Sequence, residues 1–434
     1  MLGKSSHRML STTLVLLVFG ALLGAAWAQK ESVLYSFCAQ TSCADGANPM
    51  GGLVFDQKGN LYGTTSAGGS GIHGQWGAVF KLAPEGKYTV LYSFCEQNGC
   101  SDGALPNAGL IFDRKGDVYG TTLEGGARGS GVVFKLTPEG DYSVLYNFCV
   151  LNGCTDGGYP AAGLVFDQKG NLYGTTVSGG ANGQGVVFKL TPKGKETVLY
   201  SFCALKSSQN DCADGALPYA GLVLDEKGNL YGTTFSGGAN NSNSCYGYFE
   251  YGCGVVFKLT PNGKETVLYS FCPQYPSCTD GASPFAGLVL DPKGNLYGTT
   301  WLGGNNNPCD TGGEGCGVVF KLTPEGEETV LYRFCAQDNC VDGSLPHAGL
   351  VLSAKGDLYG TTQLGGAPGG GVVFKLTPEG KETVLHGFCW QDNCTDGQQP
   401  YAGLIFDQKG NLYGTTIYGG AGIYRGGVVF RLTP

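Results

Sequence analysis

Seven aspartates recur, one per repeat, each just after a cysteine pair and just before a glycine: Asp45, Asp102, Asp156, Asp214, Asp280, Asp342 and Asp396. Seven carboxylates gathered in a ring could bind calcium or a cationic ligand, but the D-x-D-x-D-G spacing of a calcium loop is missing. An aspartate before a glycine also closes an Asx turn by accepting backbone N–H groups, and that structural role is expected here. A basic row, Lys81, Lys135, Lys189, Lys258, Lys321, Lys375 and Arg431, holds one strand position. It is expected to lay its stems on the sheet and keep its charge in water. Of the histidines past the leader, His386 stands where other units carry Tyr, His347 occupies a turn position that varies, and His73 lies in a loop. Neither a nucleophile elbow, nor a Walker loop, nor an H-E-x-x-H motif is present. No catalytic residue, metal site or cofactor is therefore assigned, although a single axial divalent cation stays open.

Eighteen cysteines carry the other chemistry. Fourteen form one local pair per repeat: Cys38–Cys43, Cys95–Cys100, Cys149–Cys154, Cys203–Cys212, Cys272–Cys278, Cys335–Cys340 and Cys389–Cys394. Two further pairs, Cys245–Cys253 and Cys309–Cys316, sit inside longer loops. An even count, local pairing and an export signal read together as nine disulfides. The spacing inside the pairs drifts, which a covalent staple tolerates better than a tetrahedral metal site does. The export signal is residues 1–28: Lys4, His7 and Arg8, then an apolar run, then Ala26-Trp27-Ala28, with cleavage expected after Ala28. The apolar run is too short to be an anchor, so the mature chain is expected outside the cytoplasm, secreted or periplasmic, without membrane insertion. Loss of Lys4 and Arg8 takes the net charge from −8 to −10. Such a surface excludes nucleic acid as an electrostatic partner.

The elements that must position these groups come from a tandem array. "GNLYGTT" stands at 59–65, 170–176, 228–234, 294–300 and 410–416, with near-copies at 116–122 and 356–362. Units begin near 52, 109, 163, 221, 287, 349 and 403, and each holds four strand-like segments joined by glycine-rich turns. The first, "GLVFD", is apolar on both sides of the pleat and is expected to be buried on both faces. In "NLYGTT" the glycine is expected to admit a neighbouring backbone and the threonines to fit the pleat. "GVVFKL" alternates, and "TVLYSF" places Val90, Tyr92 and Phe94 on one side. Residues 31–37 spell a fourth strand before the first unit, while the last unit stops after its third. A ring needs that offset, because the leading strand completes the last sheet. The predicted fold is all-β: a seven-bladed β-propeller of four-stranded antiparallel blades with local disulfides.

The "NLYGTT…GG…GVVFKLTP…VLYSF" unit resembles the GloVer repeat of exported bacterial proteins described as choice-of-anchor tandem repeat proteins. The resemblance spans 31–434 and implies an exported repeat protein with no settled activity. Members often carry a C-terminal anchoring segment. This chain departs from that pattern by stopping at Pro434, which favours release or periplasmic residence.

Repetition sorts the remaining residues, since a side chain identical in every unit serves the sheet and departures are the functional candidates. The loops between second and third strands should share one face with the connections between blades. Two of them are enlarged, at 240–254 and 305–317. Tyr246, Tyr248, Phe249, Tyr251 and Trp301 on or beside them are the leading ligand-binding candidates. His73, Trp76, Glu124, Arg128 and Tyr424 are secondary ones on the same side. The expected function is an exported, monomeric, non-catalytic binding or scaffold protein for extracellular glycan or protein. A propeller hydrolase or lyase with an axial metal, or a purely structural surface protein, are the alternatives.

Overall fold

The computed structural model describes residues 30–71, 75–206, 212–239, 245, 252–273, 277–304 and 315–433. Their strands form seven four-stranded antiparallel sheets arranged as a propeller. The first blade runs outward from the axis through Val54–Phe55, Leu61–Thr65, Ala78–Leu82 and Tyr88–Ser93. The last is built from Ile405–Phe406, Leu412–Thr416, Val428–Thr433 and Lys30–Ser36, so its outer strand comes from the opposite end of the chain. Val33 faces Phe430 and Tyr35 faces Val429 across that seam, the circular closure that the strand offset predicts.

The repeated "GNLYGTT" is a set of packing instructions. Its glycine makes room for an aromatic ring rather than for backbone, which corrects the expectation above. A Cβ on Gly63 would lie 2.6 Å from Phe80 Cζ, and the same holds at 2.6–2.8 Å for Gly120, Gly174, Gly232, Gly298, Gly360 and Gly414 against the equivalent phenylalanines. Those third-strand phenylalanines are wholly buried. Each meets a phenylalanine of the preceding blade edge-on, as Phe37 meets Phe80 at 5.1 Å and Phe94 meets Phe134 at 5.2 Å. An edge-to-face pair contributes roughly 0.5–1.5 kcal/mol beyond its buried area, so seven of them tie the ring together.

The two threonines also do more than fit the pleat. The first donates from its hydroxyl to a carbonyl of the next blade: Thr64 to Ala108, Thr121 to Ala162, Thr175 to Ala220, Thr233 to Ala286, Thr299 to Ala348 and Thr361 to Ala402, at 2.9–3.3 Å. Thr415 closes the set on Pro49 O at 3.3 Å. In every blade but the first, where the Thr65 hydroxyl is buried without a partner, the second threonine caps the following loop, as Thr122 does by donating to Glu124 O and accepting from Val132 N.

The innermost strand has two regular residues, and both are half-buried. The expectation of burial on both faces is met only in part there: Phe55 packs edge-on against Tyr413 at 5.1 Å, yet it also lines a groove with Lys58 and Arg114. On the outer strand a bulge falls at Leu91, since Val79 faces Tyr92 while Phe80 faces Val90, and the other blades repeat it. The bulge interrupts an otherwise open edge. Eight of the nine expected disulfides lie among the described residues. Cys316 is also disulfide-bonded, while its expected partner Cys309 lies outside them. In the first blade junction both Cys38 and Cys43 adopt left-handed backbone, with φ of 58° and 52°. The bond holds a loop shape that non-glycine residues disfavour.

Candidate functional site

After each outer strand the chain returns to the axis through a short segment of the form Pro-x-Ala-Gly, with Pro-Met-Gly-Gly in the first blade. The threonine bonds of the preceding blade grip this segment at its alanine carbonyl. Around the channel the last glycines nest: a Cβ on Gly109, Gly163, Gly221, Gly287, Gly349 or Gly403 would come within 3.1–3.5 Å of the carbonyl oxygen of the glycine before it in the series. The frame is therefore uniform in all but the first unit, where a Cβ on Gly52 would meet nothing within 4 Å. The residue x is not uniform. It is Met50, Asn107, Ala161, Tyr219, Phe285, His347 and Tyr401 in turn.

These seven side chains meet around a cavity of about 310 Å³ on the axis, lined also by Leu123 and by the glycine collar. The cavity opens on the face that carries the inter-blade connections, where Ala47 pairs with Ala67 and Ala104 with Glu124, the shared placement expected for those loops. Four consecutive blades supply an aromatic arc. Tyr219 stacks on Phe285 at 4.8 Å, Phe285 meets His347 at 3.8 Å, and His347 meets Tyr401 at 3.5 Å. The other three supply Met50, Asn107 and Ala161.

The site is electrically neutral. Burial holds His347, only 7% exposed, down at about 3, so its imidazole is uncharged at any ordinary pH. Burial likewise pushes the Tyr219 and Tyr401 hydroxyls upward. No carboxylate, lysine or arginine lines the cavity among the described residues. The Asn107 Oδ1 is buried without a hydrogen-bond partner there. What the arrangement offers is one aromatic wall facing groups that can both donate and accept hydrogen bonds.

The aspartate row is structural, as expected. Asp102 Oδ2 accepts from Tyr92 Oη at 2.7 Å and from Glu96 N at 3.0 Å, and Oδ1 accepts from Gln97 N at 3.2 Å. Lysines of the basic row lie over strand tyrosines, as Lys81 does over Tyr62 at 5.6 Å. Where Asn becomes Asp in the two near-copies, the lysine pairs with it: Lys135 with Asp117, and Lys375 with Asp357 at 2.8 Å. His386 packs edge-on against Phe388 in place of a tyrosine. Sulfurs of Cys253, Cys272 and Cys278 cluster, as do those of Cys316, Cys335 and Cys340, but every one is committed to a disulfide.

Of the candidate binding residues, Tyr246, Tyr248, Phe249, Tyr251 and His73 lie outside the described residues. Trp301 is half-buried and packs near Phe235 at 6.2 Å, and Phe235 in turn lies 5.7 Å from both Tyr219 and Phe285. It backs the aromatic arc without lining the cavity. Trp76 and Glu124 are half-buried, while Arg128 and Tyr424 are exposed, and none of the four reaches the cavity either. The variable axial position, apart from His347, escaped the sequence reading. Its signal was present: one residue that differs from each unit to the next between an unchanging proline and glycine.

A family model, the Gloeobacter/Verrucomicrobia repeat, matches residues 26–246 and 244–434. No curated protein matches the chain. Among solved structures, a candidate gluconolactonase aligns at 13% identity over 93% of this chain and 92% of its own, with a TM-score of 0.40. A luciferin-regenerating enzyme aligns at 13% identity over 94% and 95%, with a TM-score of 0.43.

Proposed function

We propose that this chain, which belongs to the Gloeobacter/Verrucomicrobia repeat family, is an exported, non-catalytic binding protein whose ligand docks at the axial mouth of the loop face. One observation carries the reading. Seven copies of the frame are kept nearly letter for letter, yet the side chains they send to the axis are of six different types, from Ala161 to the tyrosines Tyr219 and Tyr401. A purely structural ring has no use for that asymmetry, whereas a pocket that fits one molecule does. The local disulfides suit a protein working outside the cytoplasm. Among the described residues no helix is long and apolar enough to cross a membrane.

The donor set favours binding over hydrolysis. General acid–base cleavage uses paired carboxylates or a titrating histidine. Among the described residues the axial lining instead holds one imidazole kept neutral and no carboxylate. A hard divalent cation would also find no anionic oxygen ligand there.

Screening the mature protein on an extracellular-glycan array tests the proposal. Binding is expected, and it should disappear in Tyr401→Ala while thermal unfolding stays cooperative. Undiminished binding in that variant, together with loss in a Tyr246→Ala/Tyr248→Ala/Tyr251→Ala protein, would move the site to the enlarged fourth-blade loop and overturn the axial reading.

A further inference from the structure

We propose that the axial cavity takes the uncharged terminal ring of a glycan end-on, with the Phe285–His347–Tyr401 edge as its stacking platform and Asn107 as its hydrogen-bonding counterpart. This deepens the binding role proposed above and rests on it.

The aromatic arc decides between flat ligands. Its rings are already in contact with one another, at 4.8, 3.8 and 3.5 Å from Tyr219 round to Tyr401. No slot remains between them to sandwich a heteroaromatic ring. A ligand can lie only against one side of the cluster, with its other side turned to polar groups. A pyranose has that character: an apolar C–H face that rests on an aromatic surface, and a rim of hydroxyls that donate and accept.

The polar groups match such a rim. His347 is nine-tenths buried, lines the cavity, and makes no hydrogen bond with the described residues. A neutral imidazole offers one donor and one acceptor, and an amide or a phenol likewise offers both. Asn107 Oδ1 lacks a partner, and the Tyr219 and Tyr401 hydroxyls carry no hydrogen bond among the described residues. Leaving the buried Asn107 Oδ1 unpaired is costly, so a ligand hydroxyl that meets it gains accordingly. With no cationic side chain in the lining, a uronate or phosphate would lose its hydration without compensation.

Shape sets the direction of approach. Residues from all seven blades wall the cavity, so a polymer cannot lie across it. A volume of about 310 Å³ stands at the low end of small-molecule sites, roughly 300–1,000 Å³. It holds one ring and little more.

Isothermal titration would use methyl glycosides of glucose, galactose, mannose and N-acetylglucosamine, each beside its trisaccharide, with methyl glucuronoside and indole for comparison. At least one neutral glycoside should bind, with its trisaccharide within about tenfold of it. Asn107→Ala and Tyr401→Phe should each weaken that binding about tenfold without shifting the melting temperature. Affinity that climbs more than about a hundredfold from one sugar to three, or binding of indole or the glucuronoside in place of every neutral glycoside, would overturn the end-on sugar. An array signal that Tyr401→Ala still abolishes would, in that event, leave the binding role standing.

Discussion

Gly174 faces Phe188 across the second and third strands of its blade, and a Cβ there would sit 2.7 Å from Phe188 Cζ and 2.9 Å from Leu164 Cδ2. Neither neighbour can retreat, because Phe188 is wholly buried and held edge-on by Phe148 at 5.0 Å. Gly174→Ala should therefore destabilise by about 1–3 kcal/mol through overpacking. Gly158→Ala is the matched control, since its Cβ would meet nothing closer than 3.5 Å, and it should be nearly silent. Chemical denaturation of the two variants checks this, and equal midpoints would refute it. At this scale the sequence was legible where a residue answers to its own neighbours. Asp156 accepts from Val150 N and Leu151 N within one loop, as its place before a glycine implied. The reason for Gly174 was not legible, because the ring that fills its place belongs to another strand and is braced by another blade. Nor was the role of Tyr219 or Asn107. Each looks like an ordinary turn residue until seven turns converge.

The outer strands carry an element-scale consequence of the residue that faces the last leucine of the third strand, as Glu196 faces Leu190 and Glu31 faces Leu432. Glu31, Glu196, Glu265, Glu328 and Glu382 share that position, and each has a buried Oε1 without a hydrogen-bond partner. Burial first, and the like charge of Asp396, Asp156, Asp280 or Asp342 second, raise Glu31, Glu196, Glu328 and Glu382 to about 7, with Arg333 opposing at Glu328. Burial and Asp214 raise Glu265 to about 8. In the first two blades the position is tyrosine, and Tyr88 and Tyr142 instead donate to the carbonyls of Asp45 and Asp102. The unfolded chain loses these protons near 4.5 and the folded chain near 7 or 8. Stability should then be greatest near pH 4.5 and fall until the folded carboxyls have also ionised, near pH 8. Turn aspartates such as Asp56 work in a lower window. Burial acts upward on Asp56, but hydrogen bonds from Asn60 and Lys58 outweigh it and hold it below 3.8, so its contribution is lost only on further acidification. Melting should be higher at pH 5 than at pH 8, with solvent screening limiting each glutamate to about 1 kcal/mol or less. Replacing Glu196, Glu265, Glu328 and Glu382 by Gln should flatten the profile and stabilise the protein at pH 8. A steeper profile in that variant would refute the assignment.

Closure belongs to the whole molecule, and here the sequence was most legible, because an offset of one strand is a counting fact that no local contact can disguise. The seam is knit by more than the strand ladder. Phe37 N donates to Gly427 O at 2.9 Å, Asn48 N to Gly426 O at 2.7 Å, and Ile423 N to Cys38 O at 3.0 Å. Phe37 makes with Phe80 the edge-on contact that every other blade junction repeats, and Tyr35 stacks on Tyr88 as Tyr92 does on Tyr142. Lys30 lies opposite Thr433, which is where the other blades turn through a hairpin such as Thr323-Pro324-Glu325-Gly326. Inserting Glu-Gly between Pro434 and Lys30 would rebuild that turn, and reopening the chain between Asn262 and Gly263 would place new ends in the equivalent exposed turn of the fourth blade. Such a permutant is expected to fold to the same ring, with a melting temperature close to the parent, because it exchanges one outer hairpin for another. Deleting residues 30–36 is the opposite manipulation. It exposes the edge of Val428–Thr433 and leaves Phe80 without Phe37's neighbouring strand, so the product should self-associate through the open edge or lose cooperative unfolding. Light scattering and calorimetry on the two proteins separate the cases, and a deletion mutant that stayed monomeric and melted like the parent would show that the seam does not hold the ring.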